Sequence, residues 1–252
     1  MALVYGINSV LEALKAPGAR VERVSVERGR RNPRLREIEE LARGRRVPIA
    51  FEERAWLDRK AGGERHQGVV CQLAEIETGD VEDLLAQARA PGLVLVLDGI
   101  EDPHNLGAIL RSAEVAGADG VLVPRRRSAG LTGSVVKASA GAATHVRVAR
   151  FGNTVAALEI LKAKGYWIAG LQAEAPRPLW EADFTVPTAL VLGGEEGGLH
   201  RLVRERCDFL VGIPVRGRVS SHNVSVAAGI ALYEVLRQRE WAGSSLQPRS
   251  EP

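Results

Sequence analysis

The apolar positions of the chain follow two regimes that change near residue 92. Before it, VERVSV (21–26) alternates as a half-buried strand does, and VPIAFEE (47–53) and GVVCQLA (68–74) are further strand candidates. Asn32-Pro33 sets an N-cap ahead of a proline at the first helical position and opens RLREIEELARG. Residues 1–75 therefore read as a small α/β unit. Thr78-Gly79-Asp80, a short amphipathic DVEDLLAQARA and Pro91-Gly92 then break the pattern, which predicts a linker over 76–91.

From Leu93 onward, apolar runs alternate with helical patterns. LVLVLD (93–98), GVLVP (120–124), THVRV (144–148), YWIAGLQ (166–172), ALVLGG (189–194) and FLVGIPV (209–215) are the strand candidates. LGAILRSAEVA, SVVKASAGA, TVAALEILKAK and LHRLVRERC lie between them, with apolar residues at three-to-four spacing. Near-continuous Val/Leu strands point to burial on both faces, as in a mostly parallel sheet with helices on each side. A long last helix is expected over 223–240, packed closely along its small-residue start, with a disordered tail over 241–252. The second domain is thus 92–240.

Composition changes this picture only by exclusion. An apolar fraction of 45% and a charged fraction of 26% are ordinary for a globular protein. No apolar run reaches the ~18 residues of a membrane helix, and the start lacks the form of a secretory signal. Cys71 and Cys207 have no CxxC spacing, so neither a disulfide framework nor a metal site is expected. These features predict a cytoplasmic protein.

Charge is more telling when divided. Residues 1–75 hold 15 Lys/Arg against 11 Asp/Glu, and the remainder holds 19 against 20. The excess in the first third is almost wholly Arg, whose planar fork suits phosphate oxygens, although a solvated basic surface would look the same.

Three clusters follow predicted strand ends, where open α/β sheets bind their ligands. In the first, Leu106, Ile109, Leu110 and Ala113 share one stripe of a helix and Arg111 lies opposite. Asn105 is then either a cap or a functional amide, and Arg111 either a solvent-facing or a functional cation. In the second, Gly193-Gly194-Glu195-Glu196-Gly197-Gly198 links a strand to a helix but fails the GxGxxG fingerprint. Glu195 takes the middle place, where a carboxylate would repel a diphosphate. A cationic or hydroxyl-bearing ligand suits it better, which argues against a nicotinamide or flavin enzyme.

The third cluster sets Ser220, Ser221, His222 and Asn223 after Ile213-Pro214, at the start of a small-residue helix. Capping alone would need fewer polar groups. No GxSxG elbow accompanies the serine–histidine pair, so a serine hydrolase is not indicated. Arg125-Arg126-Arg127 follows a strand end and would suit RNA phosphates or simply water.

Together these motifs resemble those of the SpoU (TrmH) class of SPOUT RNA 2′-O-ribose methyltransferases. Asn105…Arg111-Ser112-Ala113 is similar to the first family motif. Gly193-x-Glu195-x-x-Gly198 is similar to the second, and Ile213-Pro214…Ser221-x-Asn223-Val224-Ser225 to the third. Gly6-Ile7-Asn8-Ser9-Val10 and His66-Gln67-Gly68-Val69 resemble the two ends of the substrate-binding domain of RlmB-type 23S rRNA guanosine 2′-O-methyltransferases. The chain departs from the pattern at His222, where an apolar residue is usual, and at Glu196-Gly197.

The resemblance implies an S-adenosylmethionine-dependent enzyme acting on a guanosine of 23S rRNA. Its catalytic domain would carry a C-terminal trefoil knot, work as a homodimer without metal, and follow a ribosomal-protein-like RNA-binding domain. Arg111, Asn105, Glu195 and Asn223 would be catalytic, and Gly193, Gly194, Ile213, Ser221 and His222 would hold the cofactor. Arg125, Arg126 and Arg127 would meet RNA. The alternatives are an inactive RNA-binding homologue, a tRNA enzyme, or a resistance-type enzyme acting on an rRNA adenosine.

Overall fold

The computed structural model describes residues 2–15, 21–63, 65–73, 78–195 and 197–241. The tail beyond 241, residues 76 and 77 of the expected linker, and Glu196 lie outside them.

The first unit contains β1 (Ala2–Tyr5), α1 (Ile7–Lys15), β2 (Val21–Glu27), α2 (Pro33–Gly44), β3 (Ile49–Glu52), α3 (Arg54–Ala61) and β4 (Val69–Leu73). Its sheet runs β1-β4-β2-β3, with β4 antiparallel to both neighbours and β2 parallel to β3. Asn32 caps α2 as expected, its Oδ1 accepting from the Arg34 amide at 2.9 Å ahead of Pro33.

The second unit is a seven-stranded parallel sheet in the order β11-β9-β10-β6-β7-β8-β5. Its strands are β5 (Thr78–Gly79), β6 (Leu93–Asp98), β7 (Gly120–Pro124), β8 (Val148–Phe151), β9 (Trp167–Leu171), β10 (Thr188–Gly193) and β11 (Phe209–Val211). The helices are α4 (Val81–Ala86), α5 (Pro103–Val115), α6 (Gly133–Ala138), α7 (Thr154–Ala163), α8 (Arg201–Arg206) and α9 (Val224–Trp241). Every residue of β6 is buried, and its side chains divide by parity. Leu93, Leu95 and Leu97 join the core under α5 and α9, whereas Val94 and Val96 join that under α4, α7 and α8. Leu190 and Leu192 of β10 repeat the first choice, Ala189 and Val191 the second. This two-sided burial is why the strands read as continuous apolar runs.

The units touch through α6. Val136 enters the first unit's core, and Lys137 pairs with Glu12 of α1 at 3.1 Å.

Three local expectations differ from the structure. Within the expected linker, β5 pairs with β8, and α4 buries Val81, Leu84 and Leu85 in the second unit. An amphipathic helix must cover its apolar stripe, and the nearest sheet supplies the cover. The strand expected at 144–148 begins only at Val148, because residues 142–146 continue in helical turns closed by His145 N–H and Val146 N–H donating to Ala142 O. Helix α5 starts two residues before Asn105: Asp102 caps it through the His104 amide at 2.9 Å, which removes the capping role considered for Asn105.

Candidate active site

Freed from capping, Asn105 sits buried in the first turn of α5 at the carboxyl edge of the sheet. Its amide nitrogen donates to the Glu195 carboxylate in the turn after β10. Its carbonyl accepts from the Asn223 side-chain amide at 3.0 Å. Asn223 in turn offers its own carbonyl to the Ser225 amide at 2.9 Å and the Ser225 hydroxyl at 2.6 Å, capping α9. A carboxylate can only accept, so Glu195 sets the direction of the whole chain: Asn105 must give its NH2 there and receive Asn223 on the other side. Three segments distant in sequence are thereby joined, one from each cluster.

The Glu195 turn is built for close backbone approach. A Cβ at Gly193 would lie 2.0 Å from the Gly198 carbonyl carbon, and one at Gly194 would lie 2.5 Å from Gly99 O. Gly198, at φ +61°, closes the turn by donating its amide to Gly194 O at 2.9 Å. A cavity of about 450 Å³ opens beside it, within the size range of small-ligand sites. Gly193, Gly194, Glu195, Ile213, Ser221, His222 and Asn223 all line it. Arg111 does not. It is exposed on the face of α5 opposite the buried Leu106, Ile109, Leu110 and Ala113, and bonds to no described residue.

Arg125, Arg126 and Arg127 form an exposed turn beyond β7, away from the cavity lining. The Ser128 hydroxyl closes that turn onto Pro124 O at 2.5 Å, with Arg127 at φ +53°.

Two features escaped sequence reasoning. The loop after β9 supplies Gln172 and Glu174 to the cavity wall, and the rule that ligands gather at strand ends could have pointed to it. Buried Asp98 at the end of β6 accepts from Thr154 Oγ1 at 2.8 Å and from His200 Nδ1 at 2.7 Å. This bracket ties α7 and the start of α8 to β6, fixing the frame of the Glu195 turn. The partners are 56 and 102 residues from Asp98, a separation no local pattern reveals.

The lining fits a nucleoside that carries a cationic group. Glu174 and Glu195 offer carboxylates to positive charge. Among the described residues, buried Gln172 Oε1 has no hydrogen-bond partner, an acceptor that a ligand donor could satisfy. S-adenosylmethionine has these features: adenosine, a sulfonium and an amino group. Among the described residues, no group of three or more His, Cys, Asp or Glu is placed to hold a metal ion, and no helix is long and apolar enough to cross a membrane.

Fold and site together define an α/β protein with a cavity at the carboxyl edge of a parallel sheet whose size and lining suit a nucleoside-type ligand. Residues 92–233 match the SpoU rRNA Methylase family, and residues 3–79 match the family described as RNA 2′-O ribose methyltransferase substrate binding. The chain belongs to the SpoU rRNA methylase family and is an S-adenosylmethionine-dependent RNA 2′-O-methyltransferase. It is 44% identical over 239 residues to the 23S rRNA (guanosine-2′-O-)-methyltransferase RlmB of Xylella fastidiosa, spanning 94% of this chain and 96% of that protein. It is 41% identical over 243 residues to a putative TrmH family tRNA/rRNA methyltransferase of Bacillus subtilis, spanning 95% and 97%. Among solved structures it is similar to the SpoU methyltransferase AviRb of Streptomyces viridochromogenes in complex with AdoMet. That match has a TM-score of 0.75 at 26% identity, over 96% of this chain and 91% of that one.

Proposed function

We propose that the chain methylates the ribose 2′-hydroxyl of a guanosine in 23S rRNA. The observation that carries the reading is the Asn223–Asn105–Glu195 chain beside the glycine-walled cavity. It gives a fixed set of polar groups next to a site suited to an adenosyl sulfonium. Likeness over nearly the whole length to a guanosine-specific rRNA enzyme supports the nucleotide, and leaves the inactive, tRNA and resistance-type alternatives without a favouring observation.

In this reading residues 1–75 bind the substrate as a ribosomal-protein-like domain, and 92–240, with β5 and α4 of the 76–91 segment packed against them, form the methyltransferase domain with a C-terminal knot. The match of residues 3–79 supports the first assignment. Gly193, Gly194, Ile213, Ser221 and His222 hold the adenosine. When bound, the cofactor supplies an electrophilic methyl group. Asn105, Glu195 and Asn223 orient the ribose hydroxyl. The guanidinium of Arg111 balances the charge that develops on that oxygen as its proton passes to water.

Arg111 faces solvent in a single chain, so the reading includes a homodimer that brings it to a cavity. Val226, Ile230 and Tyr233 of α9 support this: they form an exposed apolar stripe at helical spacing that a second copy would cover. The compartment that goes with this substrate is the cytoplasm.

Transfer of labelled methyl into unmodified rRNA and tRNA, followed by mapping of the modified ribose, tests the proposal. The expected product is one 2′-O-methylguanosine in 23S rRNA. Label in a base, or only in tRNA, would overturn it.

A further inference from the structure

We infer that Arg125 and Arg150 together hold one backbone phosphate of the substrate RNA. The inference deepens the reading of this chain as an RNA methyltransferase and rests on it.

Strands β7 and β8 pair in parallel, with Val123 opposite Arg150 and Pro124 opposite Phe151. Beyond them the Arg125 amide still donates to Phe151 O at 2.8 Å, so the two strand ends move as one piece. Pro124 O is a shared acceptor. It receives the Ser128 hydroxyl, which closes the Arg125–Arg127 turn, and Arg150 Nη1 at 3.3 Å. The Arg150 guanidinium is thereby anchored at the base of a turn that displays three further guanidiniums.

The charges there are poorly compensated. Arg125 reaches Asp80 at 3.4 Å, but both side chains are exposed and that pair is screened by water. Half-buried Arg150 has only a backbone carbonyl as partner and no ion pair with a described residue. Burial, and then the nearby charge of Arg125, hold its guanidinium below the ordinary arginine range. Two cations kept close in a partly dry setting favour a shared anion, and guanidinium forks match phosphate oxygens. The place suits RNA. In the order β10-β6-β7-β8, the cluster lies two to three strand spacings, about 10–14 Å, from the Glu195 turn along the same sheet edge. A strand entering the cavity would pass over it.

The test is binding of the full-length protein to a 23S rRNA fragment across a range of salt concentrations. Arg150→Gln is expected to weaken binding about tenfold, in keeping with loss of one charge-assisted bond. Arg150→Lys should recover part of the loss. The double variant R125Q/R150Q should reduce the slope of log affinity against log salt by about 0.7–0.9, the value for one phosphate, and not by twice that. Arg206→Gln, which removes an exposed arginine paired with Glu159 at 3.3 Å on α8, should leave the slope unchanged. Inorganic phosphate supplies the other arm. If it binds wild type and not R150Q while the RNA slope stays the same, the cluster is a free-anion site and the inference fails. A methylated rRNA with an unchanged slope in the double variant overturns the phosphate contact alone. An rRNA that wild type neither binds nor methylates overturns both readings.

Discussion

Asn223 donates its side-chain amide to Asn105 at 3.0 Å across 118 residues of sequence, and with its own carbonyl it caps α9. One side chain thus serves both the start of the last helix and the polar chain that ends on Glu195. The two duties separate by substitution. Asn223→Ala should lose both, costing about 1 kcal/mol of stability from the cap and most of the methylation. Asn223→Asp keeps a capping oxygen but turns an acceptor toward Asn105 Oδ1. It should unfold in urea close to wild type while methylating poorly. An Asp variant as active as wild type would show that the direction of this hydrogen bond is not used.

Arg111 offers the opposite case, a residue with no structural duty in the single chain. It is exposed and bonds to none of the described residues, so Arg111→Ala should change stability by no more than ~0.5 kcal/mol. Affinity for S-adenosylhomocysteine, read by calorimetry, should also stay, since Arg111 does not line the cavity of its own chain and in the proposed dimer it meets the ribose oxygen, not the cofactor. Methyl incorporation should fall by orders of magnitude. Near-normal turnover would remove Arg111 from the mechanism.

What could be read from the sequence depended on how local its cause was. The Asn32-Pro33 helix start and the two-sided burial of β6 come from neighbouring residues, and both appear in the structure as the pattern predicts. Asn105 was ambiguous because a cap and a functional amide look alike until Asp102 is seen to take the cap. The α4 segment looked like a connector because six residues cannot reveal which sheet will cover them. The Asp98–Thr154–His200 bracket and the unpaired Gln172 oxygen exist only once distant strands lie side by side. Methyl transfer itself was not legible in the residues' chemistry and entered only through the resemblance of the combined motifs to a known family.

The Gln172 oxygen yields a prediction with two readouts of opposite sign. An unpaired buried acceptor costs about 1–3 kcal/mol, so Gln172→Leu should stabilise the protein without ligand, by about 1 kcal/mol after allowing for repacking. If the oxygen receives a donor from bound S-adenosylhomocysteine, the same variant should bind that ligand up to about tenfold more weakly. Urea unfolding gives the first number and calorimetry the second. Loss of both stability and affinity would mean that Gln172 serves packing alone.

Stability at alkaline pH should follow the two thiols. Cys71, in the core of the first unit, and Cys207, at the end of α8, are each pushed up to about 12 from the ordinary 9.0. Burial is the main cause in both. Arg45 partly opposes it at Cys71, and the Asp208 carboxylate adds to it at Cys207. An unfolded thiol ionises near 9 while the folded one keeps its proton. Each therefore contributes fully below pH 9, and the contribution is lost as pH rises from 9 toward 12. The loss is at most about 1.4 kcal/mol per pH step for Cys71 and less for the half-exposed Cys207. Tyr166, raised by burial and then by Asp119, acts in the same direction. Urea unfolding at pH 8, 9.5 and 11 should show falling stability, and Cys71→Ala should flatten the decline even though it lowers stability at pH 8. Equal slopes in the two proteins would show that Cys71 ionises as readily folded as unfolded. Iodoacetamide at pH 8 gives an independent check, because a thiol held near 12 should react slowly until urea exposes it.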